Sequence, residues 1–150
     1  MPELSAAGDN RSRAMTRLTL RLDFAPGSRL GPGKVRLLEE IGRHGSISAA
    51  GRALGMSYRR AWLLVDEVNR SFRDPAVATQ LGGPGGGGAA LTDWGRTLVG
   101  LYRDAERAAT AAAADTVRAL EGQLAPPVAP QVAPPDPESA APAAPPEPGA

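Results

Sequence analysis

Cysteine is missing from this chain of 150 residues, which excludes disulfides and thiolate metal sites. Histidine occurs once. His44 stands in a polar helix end before Gly45, so it reads as a C-terminal helix cap and not as a metal ligand. A lone imidazole also leaves no Ser/His/Asp or Cys/His set to assemble. Aromatic residues make up only 4%, and much of the 42% hydrophobic content is alanine. That composition predicts a small helical core, with oligomerisation adding burial. No apolar run approaches the ~20 residues of a membrane helix. The N-terminus has no hydrophobic stretch of the signal-peptide kind, so a cytoplasmic protein is expected.

Lysine is nearly absent too: Lys34 is the only one among 17 basic residues. The formal net charge of +1 conceals an asymmetry. Residues 1–73 carry 13 basic and 7 acidic side chains, and residues 74–150 carry 4 and 9. A basic front and an acidic rear suit a protein that presents one face to phosphates.

Residues 1–15 lack periodicity and read as a flexible arm. From Thr16 to Phe24 the sequence alternates, with Leu18, Leu20, Leu22 and Phe24 on one face, which predicts a half-buried strand. APGSRLGPG is turn chemistry. KVRLLEEIGRH, Lys34–His44, spaces Val35, Leu38 and Ile41 as a helix does, and Gly45 ends it.

Next come two short helices joined by a tight turn, Ile47–Leu54 and Tyr58–Phe72. Ala49, Ala50 and Gly51 are small enough to let another backbone approach, Gly55 permits the reversal, and Ser57 can cap the second helix. Tyr58, Arg59 and Arg60 fill its first turn. This is helix-turn-helix order, in which the second helix offers its N-terminal residues to the major groove of DNA. Ala61, Leu64, Val65, Val68 and Phe72 form its apolar stripe. Trp62 is open to two readings: a bridge between core and wing, or packing on sugar-phosphate. AVATQL and AALT flank GGPGGGG as the strands of a hairpin, the wing of a winged helix.

Thr92 is placed to cap a final helix reaching about Leu124. Trp94, Leu98, Leu101, Ala105, Ala108 and Ala112 recur along it in steps of four and three, a seam suited to a partner helix. Residues 125–150 hold ten prolines and eight alanines and read as a disordered tail.

Catalysis is not expected. The adjacent pairs Glu39–Glu40 and Asp66–Glu67 diverge by ~100° on a helix and cannot share a substrate. The Gly82–Gly88 run lacks the Lys-Ser or Lys-Thr and the helix start of a phosphate loop. No cofactor, metal or small-molecule site is expected.

The segment from Val35 to about Arg107 resembles the N-terminal DNA-binding domain of ModE-type molybdate-responsive transcriptional regulators, a winged helix related to the LysR-type one. The likeness rests on LLEEIGRHGSISAAGRALGMSYRRAW, on VDEVN, and on GGPGGGGAALTDWGRTLVGLY. The resemblance implies a homodimer, joined through the first strand and the terminal helices, on a palindromic operator. It places groove contacts on Ser57, Tyr58, Arg59 and Arg60, with Ser46 and Ser48 as phosphate-backbone donors. Arg52 is expected at the backbone as well. Two departures stand out. Thr79 and Pro84 occupy wing positions where family members often carry a basic residue. After Leu124 the family's oxyanion-binding domains have no counterpart, so direct molybdate sensing is not carried over.

The expected fold is mainly α with a small β-hairpin wing: a winged helix-turn-helix over residues 16–124 with a long C-terminal dimerisation helix. The expected function is sequence-specific binding of double-stranded DNA, by a homodimer, in transcriptional regulation. The rivals are a protein-interaction module that has lost DNA affinity and, more distantly, an oxyanion sensor at a dimer cleft.

Overall fold

The computed structural model describes residues 16–80 and 87–126. The arm at 1–15, the wing tip at 81–86 with Pro84, and nearly all of the 125–150 tail lie outside the described residues.

The chain is a winged helix with a long C-terminal helix. A short hairpin, β1 (Leu22–Phe24) and β2 (Ser28–Leu30), leads into α1 (Pro32–His44). Then follow α2 (Ile47–Ala53), α3 (Tyr58–Ser71), a second antiparallel pair β3 (Val77–Thr79) and β4 (Ala89–Leu91), and α4 (Asp93–Glu121). In the first hairpin Leu22 faces Leu30, and in the second Val77 faces Leu91.

The first hairpin departs from the expected strand. Only Leu22–Phe24 pairs, because its partner is the Ser28–Leu30 segment, which turn-forming residues had disguised. The alternation survives as a burial pattern: Leu18, Leu20 and Leu22 are half-buried, with Arg17, Thr19, Arg21 and Asp23 exposed. Helix α1 begins two residues earlier than its apolar spacing indicated, at Pro32, whose fixed φ and missing N–H suit a first-turn position. It ends at Gly45, left-handed at φ 74°, whose N–H returns to the Ile41 carbonyl at 2.8 Å. His44 is the helix's last residue and meets Glu40 at 2.9 Å.

The core lies where α1, α2 and α3 meet. Val35, Leu37, Leu38 and Ile41 of α1 pack with Ile47, Ala50, Ala61, Val65 and Val68. The small-residue reading holds here. A Cβ on Gly51 would stand 3.1 Å from the Ala61 methyl, so the α2–α3 crossing is as tight as side chains allow.

Helix α4 is 29 residues long, about 44 Å. Its root packs on the core through Leu98 and Tyr102, both buried. Trp94 meets the Phe72 ring edge-on at 5.4 Å, and Phe72 meets Phe24 at 5.8 Å. The first two residues of the expected partner seam are therefore satisfied differently. Trp94 and Leu98 find their surface within the same chain, because the core-facing stripe runs Trp94–Leu98–Tyr102 and not through Leu101. Leu101 remains 55% exposed, and Ala108 and Ala112 are exposed too.

Candidate nucleic-acid interface

The two helices of the helix-turn-helix are each capped by a serine. Ser46 Oγ accepts the Ala49 N–H at 3.0 Å and starts α2; Ser57 Oγ accepts the Arg60 N–H at 3.2 Å and starts α3. Between them Gly55 is left-handed at φ 68°, and the Met56 N–H reaches back to the Gly51 carbonyl at 2.9 Å. These bonds fix the angle at which α3 leaves the turn. Ser46 spends its hydroxyl oxygen as an acceptor for the cap and is half-buried. Ser48, in the first turn of α2, is exposed, as is Arg52 near that helix's end.

The first turn of α3 projects from the body. Tyr58 is 60% exposed, and Arg59 and Arg60 are exposed. Among the described residues none of Arg52, Arg59 and Arg60 pairs with a carboxylate, so their charge is available to an anion. Two nearby arginines are paired instead: Arg43 with Glu40 at 2.7 Å and Arg70 with Asp66 at 2.7 Å. Both pairs are one helical turn apart, the spacing at which helical side chains of opposite charge meet.

At about 100° per residue, the outward side of α3 divides into three stripes. Arg59, Leu63 and Arg70 run along its middle. Tyr58 and Trp62 lie toward Asn69, and Arg60 and Glu67 lie toward the β1–β2 hairpin. Trp62 is 47% exposed, so part of its ring faces outward beside Tyr58.

Asn69 holds the wing. Its Oδ1 accepts the N–H groups of Ala76 and Val77 at 2.9 and 3.1 Å, and its Nδ2 donates to the Val77 carbonyl at 3.1 Å. Lys34 does the same for the other flank. Buried at its position, it donates to the Arg29 carbonyl at 2.8 Å and pairs with Glu67 at 3.0 Å, tying β2 to α3. Sequence reasoning passed over both. The signals were present: the single lysine, beside Gly-Pro-Gly, and an asparagine in the last turns of an otherwise apolar-striped helix. The wing strands themselves, Val77–Thr79 and Ala89–Leu91, carry no basic residue.

A third bond set fixes α4. Arg103 donates to Glu39 at 2.8 and 2.5 Å and to Glu106 at 2.7 Å. The hydrogen bond to Glu106, foremost, and those to Glu39 hold its guanidinium firmly protonated. Tyr102 donates its hydroxyl to the Leu20 carbonyl at 2.7 Å, and burial, with Glu106 nearby, raises its pKa above the ordinary tyrosine value.

No family model matches the chain. Among curated proteins it is 40% identical over 95 residues to the molybdenum transport protein ModE of Azotobacter vinelandii, covering 63% of this chain and 34% of that one. It is 39% identical over 108 residues to the molybdenum-pterin-binding protein MopA of Rhodobacter capsulatus, covering 72% and 39%. The matched segment is similar to the corresponding part of proteins named ModE. A third relative, the DNA-binding transcriptional dual regulator ModE of Escherichia coli K12, is 41% identical over 71 residues, 47% of this chain and 27% of that protein. The chain spans about a third of the length of the relatives it matches.

Proposed function

We propose that this chain is a sequence-specific DNA-binding transcriptional regulator, not an enzyme, acting in the cytoplasm as a homodimer through a unit spanning residues 16–124. The observation that carries this reading is the pair Arg59 and Arg60, exposed and without acidic partners at the front of a capped, outward-projecting helix. Such a helix start offers side chains to base edges and positive charge to phosphates together. Tyr58, Arg59, Arg60 and Ser57 take the groove; Ser46, Ser48 and Arg52 take the sugar-phosphate ridge beside it. The name of the Escherichia coli relative, a DNA-binding transcriptional dual regulator, supports the same reading.

The dimer is proposed from α4. Leu101, Leu120, Ala108 and Ala112 are exposed along a helix that runs well past its own core. Pairing two copies sets two recognition helices about one DNA turn apart. Leu101→Asp is expected to convert a dimer to a monomer in sedimentation analysis; an unchanged sedimentation coefficient rules Leu101 out of the interface.

Arg59→Ala tests the DNA reading. If Arg59 reads a base, specific binding weakens by about 1–3 kcal/mol while scrambled duplexes are little affected. If it holds phosphate, all duplexes weaken alike. Gel shifts with both duplexes separate these outcomes, and unchanged affinity for both removes Arg59 from the interface. An interaction insensitive to salt favours instead a protein-docking module, an alternative consistent with the uncharged wing strands.

A further inference from the structure

Midway along the outward side of α3 lies a shallow hollow of about 210 Å³, lined by Ser57, Arg59, Arg60, Leu63, Leu64 and Glu67. Its floor is aliphatic. Leu63 is 44% exposed, although nothing in the fold of this subunit requires a leucine to face solvent there. Its rim is cationic on the N-terminal side, through Arg59 and Arg60. On the far side Glu67 has its charge countered by Lys34 at 3.0 Å. The hollow therefore combines an apolar bottom with a positive lip, on the part of the helix that the proposed function places in the major groove.

Charge complementarity selects DNA as the occupant, and the aliphatic floor selects which part of it. The major-groove edge of a base pair is polar throughout, with one exception: the C5-methyl group of thymine. We propose that the Leu63–Leu64 hollow is a thymine-methyl reader, a specificity element that works beside the polar contacts of Arg59 and Arg60. This rests on the DNA-binding reading above and deepens it. Leu63 contributes the removable half of the contact, since Leu64 is half-buried and also packs against the core. The hollow is open, so it discriminates by contact area and not by enclosure. Loss of one buried methyl group then corresponds to about a fourfold change in affinity.

The experiment first selects a preferred duplex from a random pool with the full chain. Single thymines in one half-site are then replaced by deoxyuridine, which removes the methyl group and leaves every hydrogen-bonding atom in place. At one position, deoxyuridine is expected to weaken binding of the natural chain about fourfold. Because Leu63→Ala removes the contact from both half-sites of the proposed dimer, it is expected to weaken binding to the thymine duplex about sixteenfold, about fourfold per half-site, and to make thymine and deoxyuridine equivalent there. Circular dichroism confirms that the variant is folded. If every deoxyuridine duplex binds the natural chain as well as its parent, or if the Leu63→Ala and deoxyuridine losses multiply at every position, the hollow does not read methyl groups and DNA binding itself stands. If no sequence is enriched from the pool, the regulator reading fails and this one with it.

Discussion

Tyr102 shows how much a single buried side chain settles. Its ring fills the space between α4 and the core, and its hydroxyl binds the Leu20 carbonyl at 2.7 Å, so the segment before β1 is held against the terminal helix. Burial favours the neutral phenol, and the raised pKa fixes the sign of its pH dependence. The contribution is complete below the unfolded value of about 10 and is lost as pH rises through the higher folded value. Tyr102→Phe is expected to cost about 1 kcal/mol at pH 7 by deleting one hydrogen bond. It should also flatten the loss of stability above about pH 10. Urea titrations of both chains at neutral and alkaline pH test this, and parallel declines would assign the alkaline loss to other groups.

At the level of elements, the junction of wing and terminal helix is the tightest point in the fold. The Thr92 hydroxyl donates to the Pro75 carbonyl at 2.6 Å while its oxygen accepts the Gly95 N–H at 3.0 Å. A Cβ on Gly95 would fall 2.1 Å from the Ala76 carbonyl oxygen, so this turn of α4 lies directly on the strand leading into the wing. Gly95→Ala is expected to destabilise by about 3 kcal/mol or more, because backbone must move to admit the methyl group. Gly100→Ala, five residues on, meets nothing within 4 Å and should stabilise by up to about 1 kcal/mol through helix propensity. Thermal unfolding of the two variants should shift in opposite directions. The helices were legible in the sequence because caps, glycine stops and apolar stripes act within a few residues. Ser46, Ser57 and Gly45 sit where their local chemistry puts them. The β1–β2 pairing was not legible, because Ser28–Leu30 has three residues and gains its strand character only from its partner. The face of α4 was misread for a related reason. Trp94, Leu98 and Leu101 fit one seam on paper, but the aromatic contact with Phe72 and the burial of Tyr102 turn the helix so that Leu101 points away. The roles of Lys34 and Asn69 depend on neighbours distant in sequence.

For the molecule as a whole, net charge is a poor guide to where phosphate would bind. Most of its basic groups on the helices are matched locally, as in Arg43 with Glu40, Arg70 with Asp66, and Arg103 with Glu39 and Glu106. Three unpaired arginines, Arg52, Arg59 and Arg60, remain on the proposed interface. If all three hold phosphates, a dimer neutralises about six, and log affinity against log salt should fall with a slope of about −5; arginines that read bases instead make the slope shallower. Arg52→Ala should make that slope shallower, and Arg43→Ala should leave it unchanged; fluorescence anisotropy over a range of salt concentrations checks both. The wing is suspended from the two helices it accompanies. One strand is clasped by Asn69 on α3, and the other hangs by the Ala89 N–H from the Gly45 carbonyl, 2.9 Å away, at the threshold of α2. Aim is thereby inherited in this architecture: both strands of the wing take their bearing from the helix-turn-helix itself, so whatever turns α3 turns the wing with it.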